Sequence, residues 1–282
     1  MIYECHGHII LDGVAYTGSI ARHKGKIDED FIRHNLKTYT DLGITYYRDG
    51  GDKHGVSVYA KKIAGEYGID YVTAAFIILK KGHYGIMFGR SFENLHEYRE
   101  LVLEAIDLGA DFIKTTASGL LDFANGGTVT HPSISLEELK EIVNIAHGEG
   151  MSVMIHANGA DNIKRAAEAG VDSIEHGYYM DIAALKIMAD RDVIWVPTCA
   201  TSANLIGTGL YDDDMLVEIV ENHKAAMIEA SRIGVSIACG SDAGAAHVFQ
   251  GSGTLDEMTI LESIGIDPMD GNKKIYDRFR RK

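Results

Sequence analysis

The chain is 282 residues long and carries 27 Lys and Arg against 41 Asp and Glu, a net charge of −14. That balance argues against nucleic acid and anionic membrane as partners, since both reward positive surface, and leaves a small-molecule substrate as the expectation. Hydrophobic residues make up 46%, yet there is no apolar window of ~18 residues to span a membrane and no N-terminal signal-peptide pattern. Cys5, Cys199 and Cys239 form no CxxC pair and each lies in a strand-like run, so they read as reduced, buried small hydrophobes of a cytoplasmic protein. Three prolines and no Ser/Gly-rich tract leave no visible linker, and residues 1–282 are expected to form a single domain.

In chain order, β-branched runs predict strands near 3–9, 44–48, 71–78, 111–116, 152–156, 172–176, 193–197 and 235–241. Amphipathic stretches predict a helix after each, near 28–42, 55–67, 93–108, 135–149, 160–169, 181–190, 212–233 and 254–264. The junctions agree: Ser135-Leu-Glu-Glu138 is a capping box, and Gly109, Gly150, Gly170 and Gly234 stand just past predicted helix ends. Eight β/α alternations predict an α/β fold of the (β/α)8 TIM-barrel type. The alternative is an open doubly wound sheet. It would bring a Gly-rich phosphate loop after the first strand, which Ile9-Ile-Leu-Asp-Gly13 is not. The basic run Lys273, Lys274, Arg278, Arg280, Arg281 and Lys282 is expected to be a solvated helix end or tail.

In such a barrel the chemistry gathers at the C-terminal ends of the strands. Strand one carries His6 and His8, whose i, i+2 spacing puts both side chains on one side of an extended strand. Strand four ends on Lys114, strand five on His156, strand six on His176 and strand eight on Asp242. Taken singly, a His or Asp at a strand end is ordinarily a hydrogen-bonded cap. A lysine closing a buried strand is rarer, because an unpaired buried ammonium is costly, and a buried lysine can lose its proton and react as the neutral amine. Six such residues at one rim point to a metal site, where imidazoles bind zinc at about 2.0–2.1 Å.

Several longer stretches then carry a resemblance. They are Gly43-Ile-Thr-Tyr-Tyr-Arg-Asp49, Gly109-Ala-Asp-Phe-Ile-Lys-Thr-Thr-Ala-Ser-Gly119, the run from Ala146 to Gly159 containing His156, Ala169-Gly-Val-Asp-Ser-Ile-Glu-His-Gly177 and Gly240-Ser-Asp-Ala-Gly244. With these the chain resembles the amidohydrolase superfamily, in its branch of Xaa-Pro dipeptidase-like and imidazolonepropionase-related enzymes. The resemblance implies that Lys114 is carboxylated and bridges two divalent metal ions, most readily zinc. One ion would be held by His6, His8, Lys114 and Asp242, the other by Lys114, His156 and His176. It implies a metal-bridging hydroxide that attacks an amide of a dipeptide or N-acyl amino acid, with Asp242 carrying the proton. A lactonase or phosphotriesterase would use the same metals. A mononuclear deaminase would place a glutamate at Gly159 and leave Lys114 unexplained, and a degenerate, non-catalytic barrel acting as a scaffold is the rival from another class.

Secondary candidates stand around this set. His83, in the loop after strand three, matches a Gly-His element that reaches substrate in the resembling enzymes, and Tyr178 is placed to donate to a substrate carbonyl or carboxylate. His247 follows strand eight. Arg48 and Asp49 close strand two and are expected to make an internal salt bridge rather than act in catalysis. His131, His147 and His223 are expected to be structural or solvated. The glycine-rich loop 117–131 reads as a lid whose Leu120, Leu121 and Phe123 suit an apolar substrate group. Relatives commonly add a flanking β-sandwich built from both chain ends. The expectation here is a barrel without it, either a compact member or a shortened gene product, with exposed apolar surface that would favour homo-oligomers.

Overall fold

The computed structural model describes residues 1–130 and 132–281, so the reading of His131 falls outside the described residues. Eleven strands are present among those residues: β1 (Ile2–Gly7), β2 (Ile44–Asp49), β3 (Asp70–Thr73), β4 (Ile77–Lys80), β5 (Gly89–Phe92), β6 (Ile113–Thr116), β7 (Leu121–Asp122), β8 (Thr128–Val129), β9 (Val153–Ala157), β10 (Ser173–His176) and β11 (Ile194–Val196). They form a parallel sheet β1-β2-β3, a parallel sheet β11-β10-β9-β6-β4-β5, and the small antiparallel hairpin β7-β8.

Backbone hydrogen bonds join the two parallel sheets into a ring of eight staves. Asp111 N donates to Thr73 O at 2.8 Å on one side; on the other, Ala238 N donates to Trp195 O and Cys5 N to Cys239 O, both at 2.9 Å. The predicted strand near 71–78 is two pieces, β3 and β4, separated where Ala75 adopts a left-handed φ of 62°. The predicted strand near 235–241 holds only one isolated bridge, Trp195 to Ile237, a second joining Gly7 to Ala243 just beyond it, and the ring is completed without a regular ladder. Seven predicted helices fall within two residues of their observed bounds; the one near 55–67 splits into Val56–Ile63 and a 3-10 turn. Elements the sequence pattern did not reveal are β5, the β7-β8 hairpin and the helices Tyr16–Arg22, Ala200–Ala203 and Met269–Arg278. Among the described residues no helix is long and apolar enough to cross a membrane.

Side-chain alternation divides the core. On β9, Val153, Ile155 and Ala157 pack outward with the helices, joined by Leu139, Ile142, Ile163 and Ala166, while Met154 faces the barrel interior with Tyr3, Cys5, Tyr46, Phe112 and Ile194. The interior is plugged from below by Ile275 and Phe279, both fully buried. Burying each such side chain contributes roughly 1.5–3 kcal/mol. The basic run expected as a helix end or tail is in part the end of the helix Met269–Arg278, and several of its described members are paired. Lys274 and Arg278 pair with Asp192 at 2.8 and 2.6 Å, Arg280 pairs with Asp70, and Ser152 Oγ donates to Arg278 O at 2.7 Å. A sealed lower end leaves the opposite rim for chemistry.

Candidate metal centre

The alternation that sends Met154 inward also sends His156 inward, and it does the same for Lys114 and Thr116 on β6 and for Phe112 just before it. On β10 the inward positions belong to Ser173 and Glu175, so strand parity alone would turn His176 outward with Ile174. A left-handed backbone at His176 (φ 68°) departs from the strand, and its ring centroid lies 4.4 Å from that of His156. Asp242 is likewise left-handed (φ 60°), and its N–H donates to His6 O at 2.7 Å. Non-glycine residues hold such backbone at a cost of about 1–3 kcal/mol each, a strain that clusters at functional sites.

The six residues meet in one small cavity of about 30 Å³. His6 Nε2 is 3.6 Å and His8 Nε2 3.8 Å from Asp242 Oδ1, and Lys114 Nζ is 3.3 Å from His6 Nε2. One ligand atom each from His6, His8 and Asp242 lie within 4.8 Å of one another, close enough to share a metal ion. The ring centroid of His6 is 5.0 Å from that of His176.

Two of the imidazoles hydrogen-bond one nitrogen to the framework, and a third sets one against a buried carboxylate. His6 Nδ1 lies 2.7 Å from Glu175 Oε2, His156 Nε2 donates to Gly119 O at 2.9 Å, and His176 Nδ1 meets Thr198 Oγ1 at 2.7 Å. Each arrangement leaves the other nitrogen for a ligand, the way metal-binding histidines are oriented. Glu175 is held in turn by Arg48, whose Nη2 lies 2.9 and 3.0 Å from its two oxygens, and by Ser173 Oγ; Arg48 Nη1 also reaches Ser173 Oγ at 3.0 Å. Arg48 does make the expected internal salt bridge, but its partner is Glu175. Asp49 accepts instead from Ile9 N, Gly51 N and Tyr71 Oη.

Burial, reinforced by Lys114, depresses His6 well below the ordinary imidazole value and holds His8 at about 3. Burial also lowers His156 to about 3, and burial with neighbouring His156 lowers His176 strongly. All four rings are thus neutral at pH 7, the state in which a ring nitrogen can ligate. Burial pulls Lys114 down to about 8 and pushes Asp242 up to about 7. Neutral imidazoles, a carboxylate and a buried, easily deprotonated lysine fit divalent cations such as zinc.

Glycines allow the close approaches. A Cβ on Gly50 would sit 2.4 Å from the His8 ring, and one on Gly240 would sit 2.7 Å from His6 N.

The other candidates lie elsewhere. His83 is not among the residues lining the cavity, whereas its neighbour Tyr84 is. Tyr178 is buried, with its hydroxyl 2.8 Å from Ser202 Oγ and 3.0 Å from Thr201 Oγ1, and its ring stacks on His223 at 4.0 Å. His247 also lies off the cavity lining. His223 lies 3.0 Å from Pro197 O, and His147 lies 2.9 Å from Asp172. The base of loop 117–131 supports the centre through Gly119 O, and Ser118 Oγ accepts from Asn158 N at 2.8 Å. Its tip turns aside, Phe123 packing on Tyr211 at 5.3 Å. Sequence reasoning passed over Glu175, Thr198, Tyr16, Tyr84 and Phe88. Of these only Glu175 had a signal, an acid within the predicted strand that ends Ile174-Glu-His176.

The profile of the Amidohydrolase family matches residues 24–271, a span that leaves out His6 and His8. Ochratoxinase of Aspergillus niger is 26% identical over 308 residues, covering 96% of this chain. The chain spans only 62% of that relative's length. Among solved structures, an Xaa-Pro dipeptidase with bound methionine superposes with a TM-score of 0.74 at 24% identity, covering 97% of this chain and 72% of the other. The A. niger ochratoxinase structure gives 0.78 at 24%, covering 97% and 69%. Phenylurea hydrolase B gives 0.77 at 15%, covering 98% and 74%. At such identities the structural likenesses speak for the fold.

Proposed function

This chain belongs to the amidohydrolase family, and from that premise we propose that it is a metal-dependent hydrolase of amide bonds with a two-metal centre. His6, His8, Lys114 and Asp242 would hold one divalent cation, and Lys114, His156 and His176 the other, with zinc the best match to the donors. The observation that carries the reading is the convergence of all six on one cavity, with His6, His156 and His176 each tied back through one nitrogen. Lys114 would serve both ions as a carbamate, formed when its neutral amine adds to the carbon of CO2 and loses a proton, which would turn a cation into a two-oxygen anion. Burial favours that step by stabilising the neutral amine. Bound cations would polarise the scissile carbonyl and make water nucleophilic at neutral pH.

The chain's own residues complete the reaction. Asp242, beside His6 and His8, takes a proton from the attacking water as the O–C bond forms, and returns it to the nitrogen as the C–N bond breaks, giving an acid and an amine. The buried groups around the rings fix donor directions so that little reorganisation accompanies the reaction.

The test is elemental analysis of protein grown with zinc and bicarbonate, followed by assay on simple N-acyl amines and amino acids. About two metals per chain are expected, falling in Lys114→Ala. Asp242→Asn should lose at least about 10²-fold in kcat per metal ion bound, the metal content being measured on the same sample because Asp242 is also a candidate ligand. Folded protein that takes up no metal would refute the proposal, and cleavage of lactones but no amide would move it to the ester-hydrolysing alternative.

A further inference from the structure

The metal-type donors make only the floor of the cavity. Its walls are carbon-rich: Leu11, Ile77 and Ala245, with the three rings of Tyr16, Tyr84 and Phe88. Phe88 stands 5.7 Å from His8 and 6.2 Å from Tyr16, while Tyr84 stands 4.8 Å from His156, between ring centroids. Rings therefore flank both ends of the donor cluster. The two lips that carry them expose further apolar side chains, Val14 on one and Ile86 and Met87 on the other, at 73%, 54% and 39%. Exposed large hydrophobes gathered at a pocket mouth mark a surface that meets a ligand.

The charges around the mouth point the same way. Lys53 donates to Ile86 O at 2.6 Å, Lys80 pairs with Glu138 at 2.6 Å, Lys81 pairs with Glu93, and Arg22 pairs with Asp12 at 3.2 Å. Among the described residues, the cavity lining holds one cationic side chain, Lys114, which the metal reading already uses. A carboxylate entering past these rings would shed water and, among the described residues lining the cavity, meet no side-chain cation besides Lys114. A flat apolar group would instead find aromatic partners at the centroid separations of about 4.5–7 Å that such pairs prefer.

Resting on the amide-hydrolase reading above, we infer that the substrate is an uncharged amide that sets a flat aromatic group against Phe88 and Tyr84 and carries no free carboxylate beside the scissile bond. This narrows the dipeptide and N-acyl amino acid expectation to neutral counterparts of those compounds. The cavity is too small for such a group as it stands, so the Tyr16–Phe88 contact between the lips opens on entry.

Sulfonamides, in which the scissile carboxamide is replaced by a bond that resists hydrolysis, separate recognition from turnover. N-phenethylbenzenesulfonamide and N-benzenesulfonyl-phenylalanine differ only in the carboxylate. Calorimetric titration of the metal-loaded full chain should show the neutral member binding at least about tenfold more tightly. Replacing benzenesulfonyl by methanesulfonyl should weaken binding about tenfold. Phe88→Leu, which keeps bulk but loses the ring, should remove most of that aromatic preference; Phe88→Ala should do so more fully if it folds. Equal or tighter binding of the carboxylate ligand, no binding of either, or an unchanged aromatic preference in Phe88→Leu overturns the inference. Turnover is read separately on N-phenethylbenzamide and N-benzoyl-phenylalanine. Protein that binds the neutral sulfonamide but cleaves neither amide would refute the hydrolase reading and leave the recognition inference standing.

Discussion

Replacing Glu175 by Gln tests whether the buried charge beneath the site organises it. Glu175 is fully buried, lies 2.7 Å from His6 Nδ1 and meets Arg48 Nη2 through both oxygens at 2.9 and 3.0 Å. Glutamine keeps the shape, but it removes the charge facing Arg48 and can turn its amide N–H toward His6, which would favour the tautomer that points a proton into the metal site. Loss of such an orienting carboxylate costs about 10–100-fold in metal affinity, which is about 1.4–2.7 kcal/mol. Removing one member of a buried ion pair costs about 3–5 kcal/mol in folding, because the guanidinium stays buried without its counter-ion. The assay is zinc competition against a chromophoric chelator, with urea unfolding of the same metal-free samples beside it. Both quantities should fall. A folded Glu175→Gln that holds zinc as tightly as the parent refutes the orienting role, and unchanged unfolding would show that Arg48 does not depend on this charge.

Two further outcomes follow from single residues. Glu257 is fully buried, accepts from Ala200 N at 2.7 Å, and burial raises it from 4.5 to about 8. Between those values the folded state holds a proton that the unfolded chain has released, so this contribution is whole below about pH 4.5 and is lost as pH rises through 8, in all on the order of 3–5 kcal/mol. Urea midpoints at pH 5 and pH 8 should therefore converge more closely in Glu257→Gln than in the parent, and an equal pH slope in both proteins would sink the idea. At Gly50, alanine would place its Cβ 2.4 Å from the His8 ring. That overlap should displace the imidazole and lower zinc affinity at least about tenfold at modest cost in stability, typically 1–3 kcal/mol for overpacking; chelator competition and thermal unfolding separate the two effects.

The barrel was legible because both its periodicities are local. Strand alternation and helix amphipathicity can be read within a dozen residues, and the glycines and the Ser135 cap mark the joints. The convergence of the six candidate donors was legible for a related reason: a polar residue closing an apolar run has one place to go when the fold's lower end is sealed. What escaped the sequence depends on backbone departures and on partners far away along the chain. Nothing in Ser173-Ile-Glu-His176 announces that His176 turns left-handed to face His156. Nothing around Thr198 announces that its hydroxyl meets His176 across 22 residues. The irregular eighth stave was missed because Val235–Ser241 has strand-like composition, yet its bonds to β1 and β11 are single bridges.

His6, His156 and His176 each have a second nitrogen fixed by Glu175, Gly119 or Thr198, and the Glu4 carboxylate ties strand one to strand eight by accepting from His6 N and Ser241 N, both at 2.9 Å, and from Thr254 Oγ1 at 2.6 Å. None of Glu175, Gly119, Thr198 and Glu4 is among the six candidate donors, yet they contact those residues or the strands that carry them. A ligand set copied onto a looser frame would bind metal with less selectivity, since geometry rather than donor affinity discriminates among divalent ions. Substitutions in the frame should therefore alter which metal is held before they abolish holding one, whereas substitutions at the donors should do the reverse.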